Sequence, residues 1–320
     1  MAIKAPSASI SDYVTVLIDR IPGVQETGMR LSSTLHDFIR ARPQLREAVD
    51  VLHGKQAGHP LHPILQIMPL GAWVMGSVAD FLTVSRRSRY LEHTADSLIT
   101  TGVVAAIPTA VTGLADYSGL RQEAIKVGTL HLTANLLALT LYSLSIVCRK
   151  NGARGVGVAL SLAGLSVVGM AGYLGGDMSY RLQVGVNRNQ PETMGEKPHW
   201  QRVFAEGELP VGATQAVTVG DKRLLIYRDQ DGVYAMSNVC SHAAGPLNEG
   251  TFHGPCVECP WHQSVFDMRT GNVVHGPAVF SQPMYPVRIR DGQIEVGTVA
   301  DPVKHAREQI DQVLTTESES

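Results

Sequence analysis

Between residues 60 and 180 the chain holds four long stretches almost free of Asp, Glu, Lys and Arg, and nothing else in the sequence narrows its fold as much. A helix rises about 1.5 Å per residue and needs about 20 apolar residues to cross bilayer hydrocarbon. Ile64–Val84 is broken only by Asp80, while Ser97–Ala115, Val127–Cys148 and Gly155–Gly176 carry no charge. Short connections between them predict an antiparallel, all-α four-helix transmembrane bundle over residues 59–180. In the fourth run Gly157, Ser161, Gly164, Ala171 and Gly175 fall near one face, the small-residue seam that close packing in lipid prefers. A water-soluble bundle is the weaker alternative, because uncharged runs of this length exceed what a soluble core needs.

Charge divides the chain in the same place. Residues 1–200 carry 18 Lys/Arg and 14 Asp/Glu, mostly outside the apolar runs, whereas residues 201–300 carry 7 and 10 and read as a soluble domain. A net charge of −2 with no long basic run argues against a nucleic acid partner, and the first half implies a lipid bilayer instead. Residues 1–58 mix seven basic and six acidic groups and lack the apolar core of a cleavable signal. There Val14, Val16, Leu17 and Ile21, then Met29, Leu31, Leu35 and Phe38, give amphipathic helices broken at Pro22-Gly23. Such helices suit the bilayer surface, the bundle, or a soluble hairpin. An even number of spans puts both termini and the soluble domain on one side. Arg86, Arg87, Arg89, Arg149, Lys150 and Arg154 would hold the connecting loops inside; Arg40, Arg42, Arg46, Lys55, Arg121, Lys126, Arg181 and Arg188 would hold the termini inside. The second set favours a cytoplasmic soluble domain.

Ionisable groups near lipid are costly and tend to face a cavity or a partner. Along the antiparallel path His59, His62, Asp116, His131 and Asp177 fall on one membrane face, the face that carries both termini. With Gly58-His59-Pro60-Leu61-His62-Pro63, the Asp80 and Asp116 helix ends, His131 and Gly175-Gly176-Asp177, the stretch from Leu52 to Val186 resembles the DUF2231 type of four-helix membrane domain. That resemblance implies a fold and no established activity. Three readings stay open for the histidines. His131 with His62 or His59 could ligate haem b axially; the same face could hydrogen-bond a quinone and exchange its protons; or the imidazoles simply cap helix ends.

Beyond the bundle, residues 181–199 are polar, contain Pro191, Gly195 and Pro198, and read as a linker. From residue 200 to 297 the periodicity becomes that of short strands. Thr214–Val219, Arg223–Tyr227, Val233–Ser237, Gln282–Arg288 and Gln293–Val296 are separated by turns at Gly220-Asp221, Asp231-Gly232 and Asp291-Gly292. A small antiparallel all-β domain is expected, followed by a polar tail at 298–320.

Within that domain Cys240-Ser241-His242 is followed by Cys259-Pro260-Trp261-His262, so each loop offers one thiolate and one imidazole. A Rieske centre uses this allocation, two cysteines on one iron of a [2Fe-2S] cluster and two histidines on the other. A single zinc is a poorer fit, because zinc knuckles usually pair like ligands. The segments CSHAAGPLNEG and CPWHQSVFD resemble Rieske ferredoxins along most of Trp200–Gly297, and the resemblance makes Gly276-Pro277 part of a third loop over the cluster. It further implies that Ser264 bonds a cluster sulfur and that Phe266 stands where the respiratory type has tyrosine. The two additional cysteines of the respiratory type correspond to Gly245 and Trp261, Cys256 has no partner thiol, and Gln263 replaces a customary glycine.

The expected function is a membrane-anchored electron-transfer protein, passing single electrons between a redox partner protein (a reductase or oxidase) and an acceptor that could be quinone or haem in the membrane domain. An iron–sulfur redox sensor with a purely structural anchor is the alternative. An aromatic-ring oxygenase would need a further domain with a 2-His-1-carboxylate triad, and His305 is the sole histidine after Gly297. No independent substrate-converting site is evident.

Overall fold

The structure, a computed structural model, describes residues 10–86, 88–189 and 199–297. Arg87, the central part of the expected linker (190–198) and the tail at 298–320 lie outside the described residues. The chain forms two compact units, one from the segment up to Leu45 with Pro60–Val184, the other from Arg46–His59 with the residues from Gly185 onward.

The first unit is helical. Its elements are α1 (Ile10–Asp19), α2 (Val24–Arg40), the start of α3 (Pro43–His53), a single turn α4 (His62–Leu65), α5 (Ile67–Arg86), α6 (Arg89–Tyr117), α7 (Gln122–Lys150) and α8 (Arg154–Tyr180). Among the described residues four stretches, His62–Thr83, Arg89–Tyr117, Glu123–Lys150 and Arg154–Tyr180, are long and apolar enough to cross a membrane. The helices outrun the charge-free stretches. Asp96 lies inside α6 near its start and Asp116 and Asp177 lie inside the last turns of α6 and α8. Charge-free length measures the hydrocarbon crossing, whereas backbone hydrogen bonding continues into the polar boundary.

The small-residue seam does pack. Gly157, Ser161, Gly164 and Ala171 are buried on α8. A Cβ at Gly164 would sit 3.0 Å from the Tyr142 ring, and one at Gly175 3.1 Å from the His131 ring. Tyr142 in turn stacks on Trp73 at 4.2 Å between ring centroids and 7° between planes, among Ile99, Ala106, Ala138 and Val168. On α1, Ile18 and Val14 pack against Val127 and Leu174. On α2 the contact runs through Gly28 and Ser32, whose hydroxyl reaches the carbonyls of Tyr117, Ser118 and Leu120 at 3.1–3.2 Å. Val16, Leu17, Ile21, Met29, Leu31 and Phe38 therefore face outward.

One end of the bundle is tied by charge. The Arg149 guanidinium donates to Asp80 through both terminal nitrogens, to Asp96 at 2.8 Å, and to the hydroxyls of Ser145 and Ser161 at 3.0 Å. Arg154 adds bonds to Asp80 at 3.0 Å and Asp96 at 2.8 Å. The Arg149 and Asp80 side chains are 2% and 1% exposed, so four helices are joined by a paired, desolvated network.

The second unit is β. Strands β1 (Trp200–Ala205), β11 (Gln293–Gly297) and β10 (Val287–Arg290) form one antiparallel sheet; β2 (Thr214–Val219), β3 (Lys222–Arg228), β4 (Val233–Ser237) and β9 (Met284–Tyr285) form a second. A third contains β5 (Thr251–His253), β6 (Cys256–Glu258), β7 (Val265–Asp267) and β8 (Val273–His275). Pro286 divides the expected 282–288 strand into β9 and β10, since proline has no N–H for the ladder. One core, of Phe204, Leu209, Leu224, Ile226 and Ile294, lies beneath the larger strands. The other surrounds Cys240 and Cys259 with Leu247, Val257, Phe266 and Met268.

Removing the Arg149 side chain strips Asp80 of its main partner in a desolvated site. Arg149→Ala should cost about 3–5 kcal/mol, read as a lowered melting temperature in mild detergent. Arg30→Ala, which removes an exposed pair with Glu26, should cost less than about 1 kcal/mol. Equal melting temperatures for the two variants would show that the network contributes nothing.

Candidate metal centre

Two loops carry the sequence-predicted ligands. The first follows β4 and the second joins β6 to β7. They are built alike: Cys240 N donates to Gly245 O at 2.8 Å and Cys259 N to Ser264 O at 2.8 Å, while Ala244 N reaches Cys240 O at 2.8 Å and Gln263 N reaches Cys259 O at 3.0 Å. Each turn needs one left-handed residue, and these are Ala244 (φ 64°) and Gln263 (φ 61°). Gln263 thus adopts the conformation that its customary glycine would, at a cost of roughly 1 kcal/mol.

The paired turns bring all four side chains together. Cys240 and Cys259 are buried in the core and share a thiol hydrogen bond. The His242 and His262 rings lie 4.9 Å apart between centroids and nearly perpendicular, at 84°. Like groups pair with like, and among the described residues no three His, Cys, Asp or Glu side chains are grouped to hold a single metal ion. The electrostatics prepare Cys259 and His242. The Cys240 thiol, together with the Trp261 and His262 amides, brings Cys259 down to about 7 against the opposing effect of burial. Cys240, the donor of that bond, is pushed well above its ordinary value. Burial, with the neighbouring His262, pushes His242 down to about 3, so its imidazole is neutral. The His242 Nδ1 atom is buried without a hydrogen-bond partner, as suits a nitrogen whose lone pair a metal takes.

The surroundings follow the same plan. Ser264 Oγ accepts from Ala278 N at 3.0 Å, which leaves its own proton to donate, and Phe266 is fully buried beside the thiols. A Cβ at Gly245 would stand 3.2 Å from the Trp261 indole, so these two positions are neighbours. Trp261 covers that side of the loop where the respiratory type has its extra cysteines. Cys256 lies on β6, opposite Asp267, and burial raises its thiol.

Residues that sequence reasoning missed close the third loop. Asp50, on α3, accepts from Gly276 N at 2.8 Å, His275 Nδ1 at 2.9 Å and Lys55 Nζ at 3.1 Å. Lys55 also donates to Val274 O at 2.8 Å and Arg46 to Gln263 O at 3.2 Å. Only an amphipathic pattern is visible at these positions in the sequence. Burial would raise the Asp50 carboxyl, but the Gly276 amide, His275 and Lys55 outweigh it and hold it below the ordinary value.

In the helical unit His62 Nδ1 bonds Thr109 O at 2.9 Å and His131 Nδ1 bonds Ala171 O at 2.8 Å, while Asn135 Nδ2 contacts His131 Nε2 at 3.1 Å. The two rings lie within electrostatic range of each other. Asp177 is clamped by Arg181 at 2.6 and 2.7 Å, and Asp116 is half-buried at the end of α6. His59 belongs to the other unit and is exposed.

Comparison with known proteins agrees with this division. The Rieske [2Fe-2S] domain family matches residues 199–286, and a family described as a predicted membrane protein, DUF2231, matches residues 58–188. The ferredoxin subunit of anthranilate 1,2-dioxygenase from Burkholderia cepacia is 38% identical over 97 residues, 30% of this chain and 90% of that protein. A naphthalene 1,2-dioxygenase ferredoxin component from Pseudomonas aeruginosa is 34% identical over 97 residues, 30% of this chain and 93% of its own. The solved ferredoxin of carbazole 1,9a-dioxygenase from Nocardioides aromaticivorans IC177 is 37% identical, with 32% of this chain and 97% of that chain covered and a TM-score of 0.29.

Because the folded Asp50 carboxyl is held below its unfolded value, its stabilisation is complete above about pH 4 and disappears as pH falls through the lowered value. Asp50→Asn should therefore melt earlier than wild type at pH 7, by the equivalent of about 1–3 kcal/mol, with the difference closing as pH falls through the lowered value. A difference that is constant with pH would remove the charge from the account.

Proposed function

Since the chain belongs to the Rieske [2Fe-2S] family through its C-terminal domain, joined to a DUF2231 domain, we propose that it is a membrane-anchored one-electron carrier with Cys240, His242, Cys259 and His262 as its cluster ligands. The observation that carries this reading is the two-plus-two pairing of thiols and imidazoles on twin turns. When bound, a [2Fe-2S] cluster supplies reversible one-electron exchange. The chain's own residues do the rest. Leu247, Val257, Phe266 and Met268 keep water from the thiol side; the amides of Trp261 and His262 stabilise negative charge on Cys259; and the neutral imidazole of His242 is ready to ligate. Phe266 offers no hydroxyl, so the centre has fewer donors than the respiratory type, and its potential belongs in the lower part of the range of about −150 to +300 mV.

The relatives are ferredoxin components of dioxygenase systems, which supports a protein redox partner of the reductase or oxidase kind. The four apolar helices support a multi-pass anchor in a lipid bilayer, and the Lys/Arg set around the termini supports placing the cluster domain on the cytoplasmic side. Within the anchor we propose quinone as the acceptor at the His62–His131 face, with His62 as the direct contact and His131 as its neighbour, because both His131 ring nitrogens are already engaged, Nδ1 with Ala171 O and Nε2 with Asn135, and neither is left for a haem iron. The chain is placed by this reading as an electron-transfer component of an oxidoreductase system.

Holoprotein purified in mild detergent should contain iron and acid-labile sulfide at about two each per chain. His262→Cys should lower the midpoint sharply, because an anionic thiolate favours the ferric state over a neutral imidazole. One zinc per chain, or an unchanged midpoint in the variant, contradicts the assignment.

His62→Ala and His131→Ala should each slow quinone-dependent oxidation of an intact cluster by at least about tenfold. Wild-type rates in both variants would reduce the bundle to an anchor.

A further inference from the structure

Arg46–Ala57 lies outside both family matches, yet it is folded into the same compact unit as the cluster loops. Three of its charged side chains reach those loops. Arg46 holds the carbonyl of Gln263, the residue after His262. Lys55 holds the carbonyl of Val274, and Asp50 takes the next two groups along the third loop, the His275 ring and the Gly276 amide. His53, 5% exposed, packs on the same loop: a Cβ at Gly276 would lie 3.1 Å from its ring. It also lies within electrostatic range of His242. The outer ligand His262 is only 8% exposed.

Ordinary helix packing does not call for a carboxylate at 2% exposure. Burying one is unfavourable unless charge-assisted donors surround it, and two of Asp50's three donors come from the cluster loop itself. Asp50 therefore fixes the loop and the loop fixes Asp50. Because the stretch precedes Pro60, where the chain enters the helical unit again, the clamp comes from the membrane-leading part of the chain.

We infer that Arg46–Ala57 is a built-in latch over the second and third cluster loops, with Asp50 as its positioning residue, and that a docking redox protein meets this latch instead of bare imidazoles. The inference rests on the cluster assignment made above. Access to the iron side is then governed by an element that lies outside both family matches. Removing the Asp50 charge leaves the Lys55 cation beside the centre, which favours the extra electron and raises the midpoint. A higher midpoint alone would slow electron loss, so any acceleration reports access and not driving force.

The test uses whole detergent-solubilised holoprotein, reduced with dithionite and mixed with ferric cytochrome c, each turnover moving one electron from protein to haem iron. Hexacyanoferrate(III) serves as a small acceptor for comparison. Asp50→Ala should speed cytochrome reduction about tenfold, equivalent to about 1.4 kcal/mol of barrier, with a much smaller change for hexacyanoferrate. Asp50→Asn should raise the midpoint, and Asp50→Glu should restore wild-type behaviour. Where Asp50→Ala fails to load a cluster, the Arg46→Gln/Lys55→Met double variant should raise the ratio of cytochrome to hexacyanoferrate reduction by the same factor, the ratio cancelling the lower midpoint that the loss of two cations brings. Wild-type cytochrome rates in a variant that keeps the wild-type Rieske spectrum overturn the latch while leaving the cluster assignment intact. A wild-type protein without a Rieske spectrum overturns the assignment, and the latch with it.

Discussion

Bringing two thiols and two imidazoles together from two loops requires the chain to reverse tightly twice, and the rest of the β unit is arranged around those two reversals. Each is closed by a five-residue amide bond and a four-residue one, Cys240–Gly245 with Ala244–Cys240 and Cys259–Ser264 with Gln263–Cys259. Once closed, they direct backbone amides at Cys259 and leave His242 Nδ1 without a protein partner. The strands on either side of the second loop, β6 and β7, are only three residues long because their task is to anchor its ends, while the longer strands supply a separate hydrophobic core. The turns accept residues of left-handed conformation other than glycine at Ala244 and Gln263. Local strain of this kind is retained where a functional site over-determines the backbone.

The membrane unit solves a different problem. In hydrocarbon there is no hydrophobic gain from helix association, so contact depends on close backbone approach and on polar groups that find each other. The Gly157, Ser161 and Gly164 seam supplies the first and the Arg149–Asp80 network the second. The two devices meet at Gly157 and Ser161. A Cβ at Gly157 would collide with the Arg149 side chain, and the Ser161 hydroxyl oxygen accepts from the same guanidinium. Histidines at the other end of the spans use the same economy, with His62 and His131 bonding carbonyls of neighbouring helices while Gly113 and Gly175 make room for their rings.

What was legible in the sequence depended on the range of the signal. The four spans, the seam on α8 and strands β2, β3 and β4 are visible because periodicity and charge-free length are local properties. The four ligand candidates are visible because cluster chemistry dictates residue type as well as spacing. Strands β5 to β8 are too short to show a pattern. Arg149 and Arg154 read as topology signals in one dimension and become a buried network only when Asp80 and Asp96 are brought to them from other helices. Asp50 was equally hidden, since its partners His275 and Gly276 lie more than 200 positions away and an acidic residue on an amphipathic helix ordinarily faces water.

The central claim is that two imidazoles and two thiolates of these turns hold one binuclear centre. The most direct measurement is electron spin echo envelope modulation on the dithionite-reduced whole protein at low temperature, which reads nitrogen nuclei bonded to the paramagnetic iron pair. The account predicts couplings from two inequivalent imidazole nitrogens, with one lost in His242→Ala or His262→Ala wherever a cluster is retained. A reduced centre without nitrogen modulation, or a protein with no paramagnetic centre and one bound zinc, would contradict it.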